Sequence, residues 1–148
     1  MARSGSDAGN PIAPLMIRIP LGIIMMAHGS QKLLGLFGGL GLTGTLRSFE
    51  EKLHIPPIFT LLAIIAEFAG GFGVLTGFLT RLSATGISTV MLVAIYKVHW
   101  MNGFFLNSQS SPGHGTGLEY TLALLGMAVY LIIAGGGQWC LDRLIFRS

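Results

Sequence analysis

Of 148 residues, 51% are hydrophobic and only 10% are charged, where a soluble domain carries about a quarter charged residues. That balance, with a mean hydropathy of +0.69, excludes an ordinary water-soluble core and fits one domain made of a few membrane spans. The net charge of +3 comes from nine basic residues scattered singly or in pairs, so no basic tract marks a nucleic-acid partner; Cys140 is the single cysteine, which excludes an internal disulfide, a CxxC relay and a cysteine zinc site.

Residues 1–13 are small, polar and proline-punctuated, and are expected to be a flexible tail ahead of a single domain over 14–148. They lack the charged-then-apolar layout of a cleavable signal. The first apolar stretch, 14–37, is long enough to cross a bilayer. Ahead lies a glycine-rich loop with a short amphipathic helix expected at 46–53. Pro56 and Pro57 set the start of a second span over 58–79, since proline is tolerated in a first helical turn. Thr80 is then expected to cap a third span, 81–101. Residues 102–117 read as loop, and a fourth span follows over 118–137, with Trp139 as an interfacial anchor.

Each stretch approaches the ~20 residues that a crossing needs. The predicted fold is therefore an all-α integral membrane protein, an antiparallel bundle of four transmembrane helices with both termini on one side. Arg3, Arg18, Arg81, Arg143 and Arg147 fall on the terminal side, against Lys32, Arg47, Lys52 and Lys97 on the other. Positive-inside counting then expects a multi-pass cell-membrane protein with cytoplasmic termini.

Alternating helix directions sort the polar residues into two layers. The half of the membrane away from the termini receives His28, Gln31, Lys32, Glu67, Lys97, His99 and Glu119. Glu67 is the deepest, roughly 14 Å below the start of its span at 1.5 Å per residue. His28 and Lys32, spaced i, i+4, share a face with Gln31. These groups are expected to converge as a funnel from Glu119 to Glu67, with Glu67 paired to His28 or Lys32 and His99 closing the ring. Ionisable groups inside a membrane usually face partners or a polar cavity. In the other half, Arg18, Arg81 and Asp142 are expected to form a structural ion-pair cluster. A bundle-locking role is the bland alternative for both layers.

Other signals are weaker. Residues 39–44 fit GxGxxG without a surrounding βαβ unit, so they read as a turn rather than a dinucleotide site. Residues 73–77 form a GxxxG, read as close helix packing. Met25 and Met26 read as packing. His54 and His114 fall in loops, and no HxxxH or HExxH pair suggests a metal.

Three segments, HGSQKLLGLFGGLGL (28–42), AEFAGGFGVLTGFLTR (66–81) and GGGQWCLDRL (135–144), resemble the DoxX family of small four-helix bacterial and archaeal membrane proteins. The resemblance extends from Arg18 to Leu144. It implies that Arg18, His28, Gly29, Lys32, Glu67, Gly70, Arg81, Glu119 and Asp142 hold the family's characteristic positions. The family takes its name from a thiosulfate:quinone oxidoreductase, and other members are linked to oxidative-stress complexes, so the resemblance implies fold more firmly than reaction. Two functions are expected from it and from the polar residues. One is a quinone-linked redox membrane component, at most a subunit of an oxidoreductase, with His28, Gln31, Lys32, Glu67, His99 and Glu119 as ligand or proton-site candidates. The other is a non-catalytic assembly subunit of a larger membrane complex. A lipid bilayer and protein partners are expected in either case, with no covalent cofactor and no metal.

Overall fold

A computed structural model describes residues 12–106 and 116–145; residues 1–11 of the expected tail, His114 and Arg147 lie outside them, and Ala13, expected in the tail, opens the first helix. The described chain is all helical. α1 is Ala13–Leu34, α2 Gly41–Leu53, α3 Pro57–Thr76, α4 Thr80–Ala94, α5 Glu119–Ala134 and α6 Leu141–Ile145. α4 is prolonged by a π turn, Ile95–His99, and a 3₁₀ turn, Trp100–Asn102.

Three helices are long and apolar enough to cross a membrane: Ala13–Leu34, Pro57–Thr76 and Thr80–Asn102. The fourth, α5, has 16 residues and falls short of the expected 118–137. Gly135 stops it at φ 74° and ψ −168°, a conformation open essentially only to glycine. The amphipathic helix is longer than expected. It begins at Gly41 and ends where His54 turns left-handed at φ 54°.

Neighbours run antiparallel, and the contacts say so directly. Arg18, early in α1, meets the end of α3, while Lys32, late in α1, meets its middle. Arg81 at the start of α4 reaches the carbonyl of Ile133 at the end of α5. Leu21 and Met25 of α1, Val74 of α3, Ala84, Ile87 and Met91 of α4 and Leu124, Ala128 and Leu131 of α5 make the core. α1 and α3 pack closest because glycines face each other. A methyl group on Gly29 would fall 2.6 Å from the backbone nitrogen of Phe68, and one on Gly71 2.8 Å from that of Met26. In lipid, where apolar surface alone brings little association, such close approach supplies the packing. The expected GxxxG does the same on the far side: Gly73 abuts Ser83 of α4.

Candidate functional site

At the end of the bundle nearest the termini, the polar residues serve the backbone. The last carbonyls of a helix lack intrahelical donors, and Arg18 supplies them for α3. Its Nε donates to Val74 O at 2.8 Å and its Nη2 to Leu75 O at 2.9 Å. Nη1 donates to Gly136 O at 2.9 Å and Trp139 O at 2.6 Å. The side chain is 2% exposed. Asp142 serves the opposite helix end: it accepts from the backbone nitrogens of Leu79 and Thr80 at 2.6 and 2.9 Å. A cation at a helix C-terminus and an anion at an N-terminus both suit the helix dipole.

The expected ion-pair cluster is thus corrected. Among the described residues no ion pair joins Arg18, Arg81 or Asp142, and exposed Arg81 bonds a carbonyl instead. Nor does Thr80 cap its own helix. It is the first helical residue, and its buried hydroxyl has no partner.

The other half holds the candidate site. Lys32 Nζ lies 2.5 Å from Glu67 Oε1 and 2.6 Å from Oε2. The glutamate side chain is 3% exposed and the lysine 25%. Of the two partners expected for Glu67, it is Lys32 that takes the place. α2 roofs this pair: Thr45 Oγ1 donates to Lys32 O at 3.2 Å, and the Phe49 ring centre lies 5.6 Å from Nζ.

The pair sits at the edge of a cavity of about 630 Å³ between α2, α3 and α4. Apolar side chains make most of its wall, including Phe59, Leu62, Ala63 and Ala66 of α3 and Val90 and Val93 of α4. Phe59, Leu62 and Val93 are more than two-fifths exposed, so the cavity opens sideways between the helices. Gly86 and Ala66 keep its floor thin: a methyl on Gly86 would stand 3.3 Å from Ala66 Cβ. Ser48, Thr89, Lys52, Lys97 and His99 add to the polar lining. The π turn places Lys97, Val98 and His99, three consecutive residues, along one cavity. Such turns are frequent at functional sites.

The predicted funnel is only partly formed. His28 is exposed on the outside of α1, and Gln31 is half-buried; neither lines the cavity. One helical turn separates His28 from Lys32, but α1 presents Gly29 and not His28 to α3. Glu119 accepts from Leu106 N at 2.6 Å and so closes the loop before α5. His99 lines the cavity, yet its Nδ1 is turned to Thr116 O at 2.8 Å, as the donor a carbonyl requires.

One residue escaped the sequence reading. Thr60 is fully buried, lines the cavity, and its Oγ1 has no hydrogen-bond partner. The available signal was its i, i+7 spacing to Glu67, which puts both on one face of α3.

A short all-helical membrane chain with a buried lysine–glutamate pair beside a lateral apolar cavity is the class these features define. The chain belongs to the DoxX family, whose pattern matches residues 13–100. It is similar to "Inner membrane protein YqjF" of Escherichia coli, 27% identical over 93% of this chain and 95% of the relative. It is also similar to "Uncharacterized membrane protein Rv3486" of Mycobacterium tuberculosis, 28% identical over 92% of this chain and 83% of the relative. No solved structure matches.

Proposed function

We propose that this DoxX protein is a quinone-linked component of the membrane, with the head of a lipid-soluble quinone held in the lateral cavity beside Lys32 and Glu67. The carrying observation is the Lys32–Glu67 pair at the edge of an apolar cavity, its ammonium side chain 25% exposed, with the unpartnered hydroxyl of Thr60 buried behind the same wall. Pockets of several hundred Å³ with a few convergent polar groups are the usual form of a small-molecule site. Orphaned buried hydroxyls are uncommon and call for a partner.

A bound quinone supplies two carbonyl acceptors and exchanges two electrons and two protons. The donors on the chain suit that. Thr60 has a free O–H. Lys32 has three N–H donors, and the two oxygens of Glu67 engage two of them, leaving one for a ligand carbonyl. The two carboxylate oxygens of Glu67, both against the Lys32 ammonium, are the proton-accepting atoms the chain offers beside that ligand. The sideways opening admits a ligand directly from the bilayer. On this reading the chain, with one cysteine and no cofactor-attachment motif, works as a subunit that exchanges electrons through a protein partner.

The test is binding of a short-chain quinone to the purified protein in nanodiscs. Thr60→Val keeps the shape and removes the hydroxyl. It is expected to weaken binding about threefold to tenfold, the worth of one hydrogen bond, with the melting temperature unchanged. Equal affinity in the variant removes the basis of this reading.

The second reading, a non-catalytic assembly subunit, draws on the two-oxygen engagement of Glu67 by Lys32. On that reading Glu67→Gln loses stability and partner association together, and no quinone binds to either form.

A further inference from the structure

The cavity has a second, outer end. Lys52, in the last turn of α2, and Lys97, in the π turn, both line it there. Lys97 lies about 8 Å short of the end of its span at 1.5 Å per residue, and Lys52 precedes the first residue of α3, Pro57. Both thus fall toward the end of the bundle away from the termini. Both lysines are exposed, and neither belongs to an ion pair among the described residues. The acid that lines the cavity, Glu67, is already engaged by Lys32. Of the two acids on α2, Glu51 pairs with Arg47, and exposed Glu50 is not part of the cavity lining. The lining therefore carries three lysines against one carboxylate, and two of them, Lys52 and Lys97, are exposed and outside any ion pair among the described residues.

We infer that this rim is a headgroup site for an anionic phospholipid, its phosphate held between Lys52 and Lys97. The acyl chains lie on the exposed apolar side chains below, Phe59, Leu62, Val93 and Val98. Charge complementarity selects this occupant. A zwitterionic lipid brings its own cation to the same place, whereas an anionic one answers the surplus. Basic pockets between membrane helices take acidic headgroups by this mechanism, and each lysine is worth roughly fivefold in association. A lipid bridging α2 and α4 at this point would hold the roof of the cavity in place. The lipid's acyl chains share the walls Phe59, Leu62 and Val93 with the ligand of the proposed function, but its headgroup is assigned Lys52 and Lys97, which are not among the donors of the deeper end.

The test uses the full chain purified in micelles with equimolar phosphatidylglycerol and phosphatidylcholine, without added quinone, and counts lipid adducts by native mass spectrometry. The unaltered protein is expected to retain phosphatidylglycerol in preference. The exposed pair Lys52→Gln and Lys97→Gln should melt normally and lose about 25-fold of that preference, the product of two fivefold factors. Lys52→Arg with Lys97→Arg should keep it, and so should Arg143→Gln at the opposite end. Equal retention of both lipids by the unaltered protein overturns the inference. So does an unchanged preference in the glutamine pair, or an equal fall in Arg143→Gln, which would mark bulk charge alone. Displacement of the lipid by inorganic phosphate at matched concentration overturns it too, by assigning the rim to a soluble anion.

Discussion

Asp142 caps the helix that Thr80 begins, although 62 residues separate the two. The same turn is held from its other side, because Arg18 binds the final carbonyls of α3 and Asp142 N donates to Gly77 O at 2.9 Å. Four separate segments thus meet at one three-residue connection. The first N–H and last C=O groups of a helix have no intrahelical partner, and here side chains brought from α1 and from the segment after α5 serve them.

Asp142→Ala removes both acceptors and Asp142→Asn removes one, along with the charge. The alanine variant is expected to be less stable than the native protein by about 2 kcal/mol and the asparagine variant by about half that, by analogy with helix-cap losses. Thermal unfolding in detergent checks the order. Equal loss in the two would mean that the charge, not the two-bond geometry, matters.

Arg18→Lys keeps the charge and loses the fork. A lysine has three donors where four carbonyls are now served, and it cannot match a planar array. More than about 3 kcal/mol of stability should be lost, since buried acceptors are left unpaired. The monodisperse fraction on size-exclusion chromatography should fall accordingly.

The Lys32–Glu67 pair should respond unequally to its two single truncations. Lys32→Met strands a carboxylate that is 3% exposed, whereas Glu67→Leu strands a lysine that is 25% exposed and can reach water. The first should cost about 3–5 kcal/mol, the second less, and the double variant should recover most of the stability. A double-mutant cycle on unfolding measures the coupling. Additive losses would show that the two residues do not act as a pair.

Two glycine substitutions make a matched test of helix approach. Gly29→Ala drives a methyl into the α3 backbone and should cost about 1–3 kcal/mol through overpacking. Gly126→Ala, on the exposed side of α5, meets nothing within 4 Å and should be neutral or stabilising by about 1 kcal/mol through helix propensity. Melting temperatures moving in the same direction would contradict the packing assigned to α1 and α3.

His28→Leu is expected to change stability by less than about 0.5 kcal/mol, the usual range for an exposed position, and to leave quinone binding untouched. A strong effect on binding would return His28 to the site from which the helix rotation removes it.

The sequence alone determined the class of protein, because span length and a low charge content are local properties that the bilayer reads directly. Pro56–Pro57 and the amphipathic stretch ending at Leu53 marked element boundaries for the same reason: backbone restriction and hydrophobic periodicity need no tertiary partner. Depth along each helix was legible as well, so Lys32, though shallower, could be expected within reach of Glu67. Rotation about each helix axis was not, and it decided the rest. It turned His28 outward and brought Gly29 against Phe68. It also left Thr60 and Lys97 facing a common cavity with Glu67. The terminal-side layer failed as an ion-pair cluster for a related reason. Charge in a sequence suggests opposite charge as its partner, yet at helix ends in a bilayer the unsatisfied groups are backbone N–H and C=O. Only the assembled bundle reveals which of those ends Arg18 and Asp142 can reach.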